Sequence, residues 1–227
     1  MLWLTECLYC HNFVYHLKDG RIKCSKCHKK TAKTKINKAI TLIQCFIYDE
    51  SALQVSKRLS FSYVSVQNFY EKLRVLSAQI CELEYEKVRS RECEYEEYFY
   101  LENSKKLQKE AVFDAHNFLT FDYKGHIYTL LMPSLQQYKN QFLKDSVEGA
   151  YIDEFKKFKR ESKIIKVSQH FNNIVAFWEY LEVSTKKYKG ISNESFIYFL
   201  KEFEFKFNHP KQKAIELLIE AYFKGTV

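Results

Sequence analysis

Apolar residues recur at helical spacing through residues 36–80, and beyond residue 93 the period shortens to that of strands. Ile36, Ile40, Ile43 and Ile47 mark one helical face. Ser51 is placed to cap a second helix over Ala52–Leu59, with Ala52, Val55 and Leu59 inward. Ser60-Phe61-Ser62-Tyr63 predicts a turn, and a third helix follows with Val66, Phe69, Tyr70, Leu73 and Leu76 inward. A short helix, a tight turn and a longer helix form the pattern of a helix-turn-helix. Ser65, Gln67, Asn68 and Lys72 then fall on the outer side of its second helix. The competing reading is an ordinary helical bundle. Residues 81–92 are densely charged and predict a hinge. Glu94–Tyr100 alternates as a strand, and Phe113–Phe121 with His126–Met132 predicts a hairpin about Asp122-Tyr123-Lys124-Gly125. A helix over Gln136–Lys144, a short apolar run Ala150-Tyr151-Ile152 and a strand over Lys163–Val167 follow. From Phe171 the chain reads as helical, with Ile174, Phe177, Trp178 and Leu181 on one face and Gly190 as an interruption. Helices then continue over Ser195–Phe207 and His209–Phe223. Strands, a mixed region and then helices suggest an α/β domain with one central sheet.

Composition adds a partner and a compartment. The 227 residues are 46% hydrophobic and 17% aromatic, with only 5 Gly and 2 Pro, so long disordered linkers are not expected. The net charge of +8 favours a polyanionic partner. Much of the excess is early: Lys18, Arg21, Lys23, Lys26, Lys29, Lys30, Lys33, Lys35 and Lys38 are opposed within that span only by Asp19. Lys29, Lys30, Lys33 and Lys35 are the expected phosphate contacts. The N-terminus has no signal-peptide pattern and no apolar run reaches membrane length, so a soluble cytoplasmic protein is expected.

The chemistry begins with cysteine. Cys7-Leu-Tyr-Cys10 and Cys24-Ser-Lys-Cys27 are two CxxC pairs flanking Phe13–Leu17 and Arg21–Lys23, which read as short strands around Asp19-Gly20. Four thiolates so spaced can close a tetrahedral Zn²⁺ site, the geometry of a zinc ribbon. A redox pair or a disulfide framework is the competing reading. Cys45, Cys81 and Cys93 are isolated, and His11, His16 and His28 are expected at the surface. Carboxylates give a weaker pattern. Glu94 and Glu96 share a strand face, and Asp153 follows a short apolar run. Acids at neighbouring strand ends can hold two Mg²⁺ ions for phosphodiester chemistry, and solvated surface acids are the alternative.

Taken along the chain, these motifs resemble the zinc-ribbon insertion-sequence transposases of bacteria. The likeness is carried by Cys7–Lys30, by Glu94-Tyr-Glu-Glu-Tyr-Phe-Tyr100 and by Gly125-His-Ile-Tyr-Thr129. It continues in His170-Phe-Asn-Asn-Ile-Val-Ala-Phe-Trp178, Lys187-Tyr-Lys-Gly-Ile191 and Tyr198-Phe-Leu-Lys-Glu-Phe-Glu-Phe-Lys-Phe-Asn208. It implies an α+β multi-domain chain: a zinc ribbon over 1–32, a helix-turn-helix region over 33–80, and a ribonuclease-H-like DDE domain over 93–227 with a helical C-terminus. It also implies double-stranded DNA as partner, assembly into a homo-oligomer on DNA, structural Zn²⁺ and catalytic Mg²⁺. Glu96 and Asp153 would stand for the first two metal-binding acids. Val175 falls where the third is expected, and valine binds no metal. Glu179, one helical turn later, is the candidate substitute, with Asn172 and His170 as neutral donors near the helix start. The Gly-rich stretch of the family is replaced by Leu101-Glu-Asn-Ser-Lys-Lys106.

Three functions follow as expectations. The first is a transposase that cuts and joins DNA strands. The second is a non-catalytic, zinc-containing DNA-binding relative. The third is a zinc-stabilised protein-interaction module, which leaves the basic ribbon unexplained. The loss at Val175 implies weak or absent cleavage.

Overall fold

The computed structural model describes residues 5–101, 113, 115–132, 172–188 and 191–224. Its described residues form two three-stranded antiparallel sheets and six helices. They divide into two compact units, Met1–Lys87 with Lys201–Val227, and Val88–Leu200.

The first unit opens with the ribbon. β1 (Val14–His16) pairs with β2 (Arg21–Cys24), and β2 pairs with β3 (Lys30–Ala32). The β1–β2 turn works because Gly20 takes φ +78° and the Asp19 carboxylate accepts the Arg21 N–H at 3.1 Å. The third strand, drawn from the lysine-rich span, had no alternation to announce it. It runs straight into α1 (Lys33–Ile47).

α2 (Ala52–Leu59) starts with a capping box: the Ser51 hydroxyl accepts the Gln54 N–H at 3.3 Å, and the Gln54 side chain accepts the Ser51 N–H at 2.9 Å. Its end is a left-handed Ser60, φ 54°, with the Phe61 N–H bonded to the Ser56 carbonyl at 3.1 Å. That is a Schellman-type stop, which usually takes glycine. α3 begins only three residues after α2 ends and spans Tyr63–Val88. The expected hinge at 81–92 is therefore mostly helix. The charges of Glu82, Glu84, Glu86 and Lys87 favour helix as much as loop, and three of these side chains are exposed.

Two further helices complete this unit. The helix here labelled α5 spans Asn193–Asn208, and α6 spans Lys211–Lys224. The unit boundary falls within α5, after Leu200. The sequence reading grouped 201–227 with a C-terminal domain. In the structure, Phe205, Ala214, Ile215, Leu218, Ile219 and Phe223 instead share one core with Val14, Ile22, Ile36, Phe46, Val55, Val66 and Leu73. From Lys201 to Phe205 every side chain of α5 is buried, charged ones included. A helix buried all round is a central helix, and its charges must be paired there. Glu202 accepts from Arg74 at 2.7 Å and from Lys206 at 2.5 Å, while Lys206 also reaches Asp49 at 2.9 Å. Lys201 lies 3.1 Å from both Glu82 and Glu204.

The second unit holds the strand order β4 (Glu94–Tyr100), β5 (His116–Asp122), β6 (Ile127–Leu131). Strand and hairpin follow the sequence expectation closely. The tight turn places Lys124 and Gly125 at φ 56° and 100°, as a two-residue primed hairpin turn requires. α4 (Asn173–Thr185) packs on this sheet, and the Trp178 indole donates to the Thr120 hydroxyl at 2.9 Å. Trp178 and Phe177 are buried, as is Phe205 in the other unit, so none offers a stacking platform. The helix over Gln136–Lys144, the run at 150–152 and the strand over Lys163–Val167 lie outside the described residues.

Candidate metal centre and nucleic-acid interface

The two CxxC turns have the same backbone. In each, the first cysteine's N–H bonds to the carbonyl five residues on: Cys7 to Asn12 at 2.8 Å, Cys24 to Lys29 at 3.1 Å. In each, the residue after the second cysteine is left-handed: His11 at φ 55°, His28 at φ 58°. The repeated turn aims all four sulfurs at one point. Cys7 Sγ and Cys27 Sγ are 3.6 Å apart, Cys10 Sγ and Cys24 Sγ are 3.4 Å apart, and all four lie within 4.8 Å of one another. A tetrahedron with metal–sulfur bonds of about 2.3 Å has sulfur–sulfur edges of about 3.8 Å, so the cluster fits Zn²⁺. All four sulfurs belong to free thiols, with no disulfide among them.

Electrostatics around the sulfurs is uneven. Burial pushes the Cys7 thiol up to about 12. The Asn12 backbone N–H holds Cys10 down, to about 6. Burial opposes the Cys24 thiolate, but the N–H groups of Cys27 and Lys26 outweigh it, and Cys24 is lowered. Those N–H donors stand 3.4 and 3.3 Å from Cys24 Sγ. A dication at the centre would remove the remaining protons, since zinc binds thiolate. The histidines are not ligands: among the described residues the only candidate metal cluster is the four cysteines, and His11, His16 and His28 are exposed.

Lysines follow the second CxxC turn along the chain. Lys30 and Lys35 are exposed and Lys33 is half-buried. Lys29 lies over the Tyr9 ring at 3.8 Å, so part of its charge already serves a cation–π contact. On α3, Ser65, Asn68 and Lys72 are exposed. Gln67 is half-buried, and its amide donates to Glu71 at 3.4 Å. Tyr63 and Val64, passed over as apolar, are 48% and 61% exposed at the N-terminal end of α3. Val64 lies off the Val66–Tyr70–Leu73 stripe, whereas Tyr63 is in register with it and is exposed because it is the first residue of the helix.

The carboxylate corner is less complete. Glu96 sits on β4 opposite Thr120, and Glu94 opposite Asp122. The Asn172 amide, at the N-cap of α4, reaches Glu96 Oε1 at 3.5 Å, and Glu96 Oε2 is buried without a hydrogen-bond partner. Burial, with the Glu94 charge, raises the Glu96 carboxyl above the usual range against the pull of Asn172. The Asn172 side chain is largely committed elsewhere, accepting the Val175 N–H at 2.9 Å. Glu179 is exposed on α4. One turn further, Glu182 accepts the Tyr98 hydroxyl, and burial together with that carboxylate holds the Tyr98 hydroxyl well above the usual tyrosine range. Asp153 lies outside the described residues. Among the described residues no three acidic groups converge here, and Glu96 is a half-buried carboxylate.

No family model, curated protein or solved structure matches the chain. No described helix is long and apolar enough to cross a membrane.

Proposed function

We propose that this chain binds double-stranded DNA through its first unit, as a relative of the zinc-ribbon insertion-sequence transposases in which strand cleavage is weak or lost. The observation that carries the reading is the continuity of that unit. The ribbon's third strand leads without a break into α1, and a capped short helix, a three-residue turn and a long helix follow around the same core. Four thiolates with a structural zinc ion would lock the ribbon. The N-terminal end of α3, with Tyr63, Val64, Ser65 and Asn68, enters the major groove, while Lys30, Lys33 and Lys35 neutralise phosphates. The three-stranded meander and α4 of the second unit are parts that a ribonuclease-H-like domain also has, and Glu96 on β4 would stand for its first acid. Val175 and the exposed Glu179 argue for the non-catalytic form. Assembly on DNA as a homo-oligomer belongs to the same reading.

The test is a pair of measurements on the zinc-loaded full chain. Duplex DNA should bind with an affinity that falls steeply with salt. Element-end duplex with Mg²⁺ or Mn²⁺ should show little or no strand cleavage. Robust cleavage abolished by Asp153→Ala would restore the active transposase, and absence of duplex binding would remove the DNA reading altogether.

A further inference from the structure

The ribbon sheet has an inner and an outer face. Val14, Ile22 and Cys24 point into the core. Strand alternation puts Phe13, Tyr15, Lys23 and Lys30 on the other side. The registers set Tyr15 opposite Lys23 and Lys23 opposite Lys30, giving one row across three strands. Phe13 and Tyr15 are 61% and 53% exposed, and their rings meet edge to face at 5.3 Å. Exposed aromatic rings this close on a small ribbon serve neither the core nor the metal. Among the described residues neither Lys23 nor Lys30 has a carboxylate in ion-pair range, whereas Arg21 on the same face is held by Asp19. Glu6 bridges to Phe13 and is the acid at that end, so the positive side of the face is the Tyr15–Lys23–Lys30 row.

We propose that this outer ribbon face is a second nucleic-acid contact and takes single-stranded DNA, with unpaired bases stacking on Phe13 and Tyr15 and the backbone following Lys23 and Lys30. Aromatic rings beside free cations are the pattern of single-strand sites, because every base has a face to stack and every linkage a charge. A duplex keeps its base faces inside the stack and cannot use the rings in this way. The face is therefore suited to frayed or nicked ends beside the duplex held by the helix-turn-helix. The inference rests on nucleic acid being the partner, but not on α3 reading the duplex.

The experiment uses the zinc-loaded full chain and two fluorescent probes, an oligo-dT strand and a blunt duplex, with anisotropy read across a salt series. The wild-type chain should bind both. Phe13→Ala with Tyr15→Ala should weaken oligo-dT binding about tenfold or more per stacked base, leaving duplex affinity within about threefold and both salt slopes unchanged. Phe13→Trp with Tyr15→Trp should retain oligo-dT binding. Lys23→Gln with Lys30→Gln should lower the single-strand salt slope by about 0.7 per lost contact, while the duplex slope should fall by only about 0.9, for the Lys30 contact that both probes share. All four side chains lie on the outer face, and retained zinc content and circular dichroism check the fold of each variant. Duplex binding without oligo-dT binding overturns this inference and leaves the duplex reading standing. Failure of both probes removes both. Equal losses on the two probes in the alanine variant also overturn it. So does sedimentation showing a dimer that the alanine variant abolishes, because the rings would then be an interface between copies of the chain.

Discussion

Arg74 on α3 donates to Glu202 on α5 at 2.7 Å, with both side chains almost sealed from water. The pair links residues 128 positions apart and sits in a chain of charges that continues through Lys206 to Asp49. Glu202→Gln should destabilise the first unit by about 3–5 kcal/mol, because it strands buried cations. Arg74→Met combined with Glu202→Leu should cost less than the two single changes added together. Urea unfolding of the four proteins in the cycle measures the coupling, and strict additivity would refute a paired role.

Zinc removal should unfold the ribbon. Structural zinc contributes about 10–16 kcal/mol in small zinc-finger peptides, and Cys7 and Cys24 also belong to the shared core. Chelation, or Cys24→Ser, should therefore lower the helical unit's melting temperature as well as disorder the sheet. Elemental analysis should find one zinc per chain. A chain free of metal with an unchanged melt would contradict this.

Replacing Lys30, Lys33 and Lys35 together with glutamine should weaken duplex binding on all sequences alike and flatten the salt slope by about 0.9 per lost phosphate contact. Asn68→Ala should instead relax sequence preference by about 1–3 kcal/mol at one position, if its amide reads a base. Competition binding with scrambled sites separates the two effects.

Ser60→Gly should stabilise the first unit. A left-handed non-glycine residue costs about 1–2 kcal/mol, partly offset by the larger unfolded-state entropy of glycine, about 0.4–1 kcal/mol. A net gain of up to about 1.6 kcal/mol is expected in denaturant melts. A loss would mean that the Ser60 side chain contributes more than its conformation costs.

His209 should make the first unit's stability fall with rising pH. Burial opposes its charge, but Glu84 at 2.9 Å and the Phe205 carbonyl at 2.8 Å are both acceptors, so the doubly protonated ring is favoured and its pKa is raised. A raised folded value means the stabilisation is full below the unfolded value, near 6.5, and disappears as pH climbs through the folded one. His209→Asn should flatten that slope in denaturant melts taken from pH 5 to 9. A wild-type profile without the slope would show that Glu84 does not hold the proton there.

The four-cysteine cluster and the succession of a capped short helix, a turn and a long helix were legible because their signals are local. The CxxC spacing, the Ser51–Gln54 cap and the Val66–Tyr70–Leu73 stripe each sit within a few turns of chain. β3 was not legible, because three residues paired to β2 need no alternation of their own. Nor was the role of the Glu-Phe-Glu-Phe-Lys segment at 202–206. Alternating charge reads as a solvated face, and only partners 120 or more residues away turn it inward. The acidic corner was legible in part: the strand carrying Glu96 is where periodicity placed it, but side chains joined by tertiary packing, such as Asn172 and Glu96, carry no spacing signal.

The discontinuous first unit also bears on biosynthesis. A ribosome releases the ribbon and α1–α3 early, yet Lys201 onward, which fills their core, emerges on the order of ten seconds later at ordinary elongation rates. During that interval Val55, Val66 and Leu73 lack part of their cover, and Arg74 has no Glu202. A nascent chain in this state is a natural client for chaperones. A gene fragment cut at the apparent boundary after α3 would make that exposure permanent, and it should aggregate more than the full chain does.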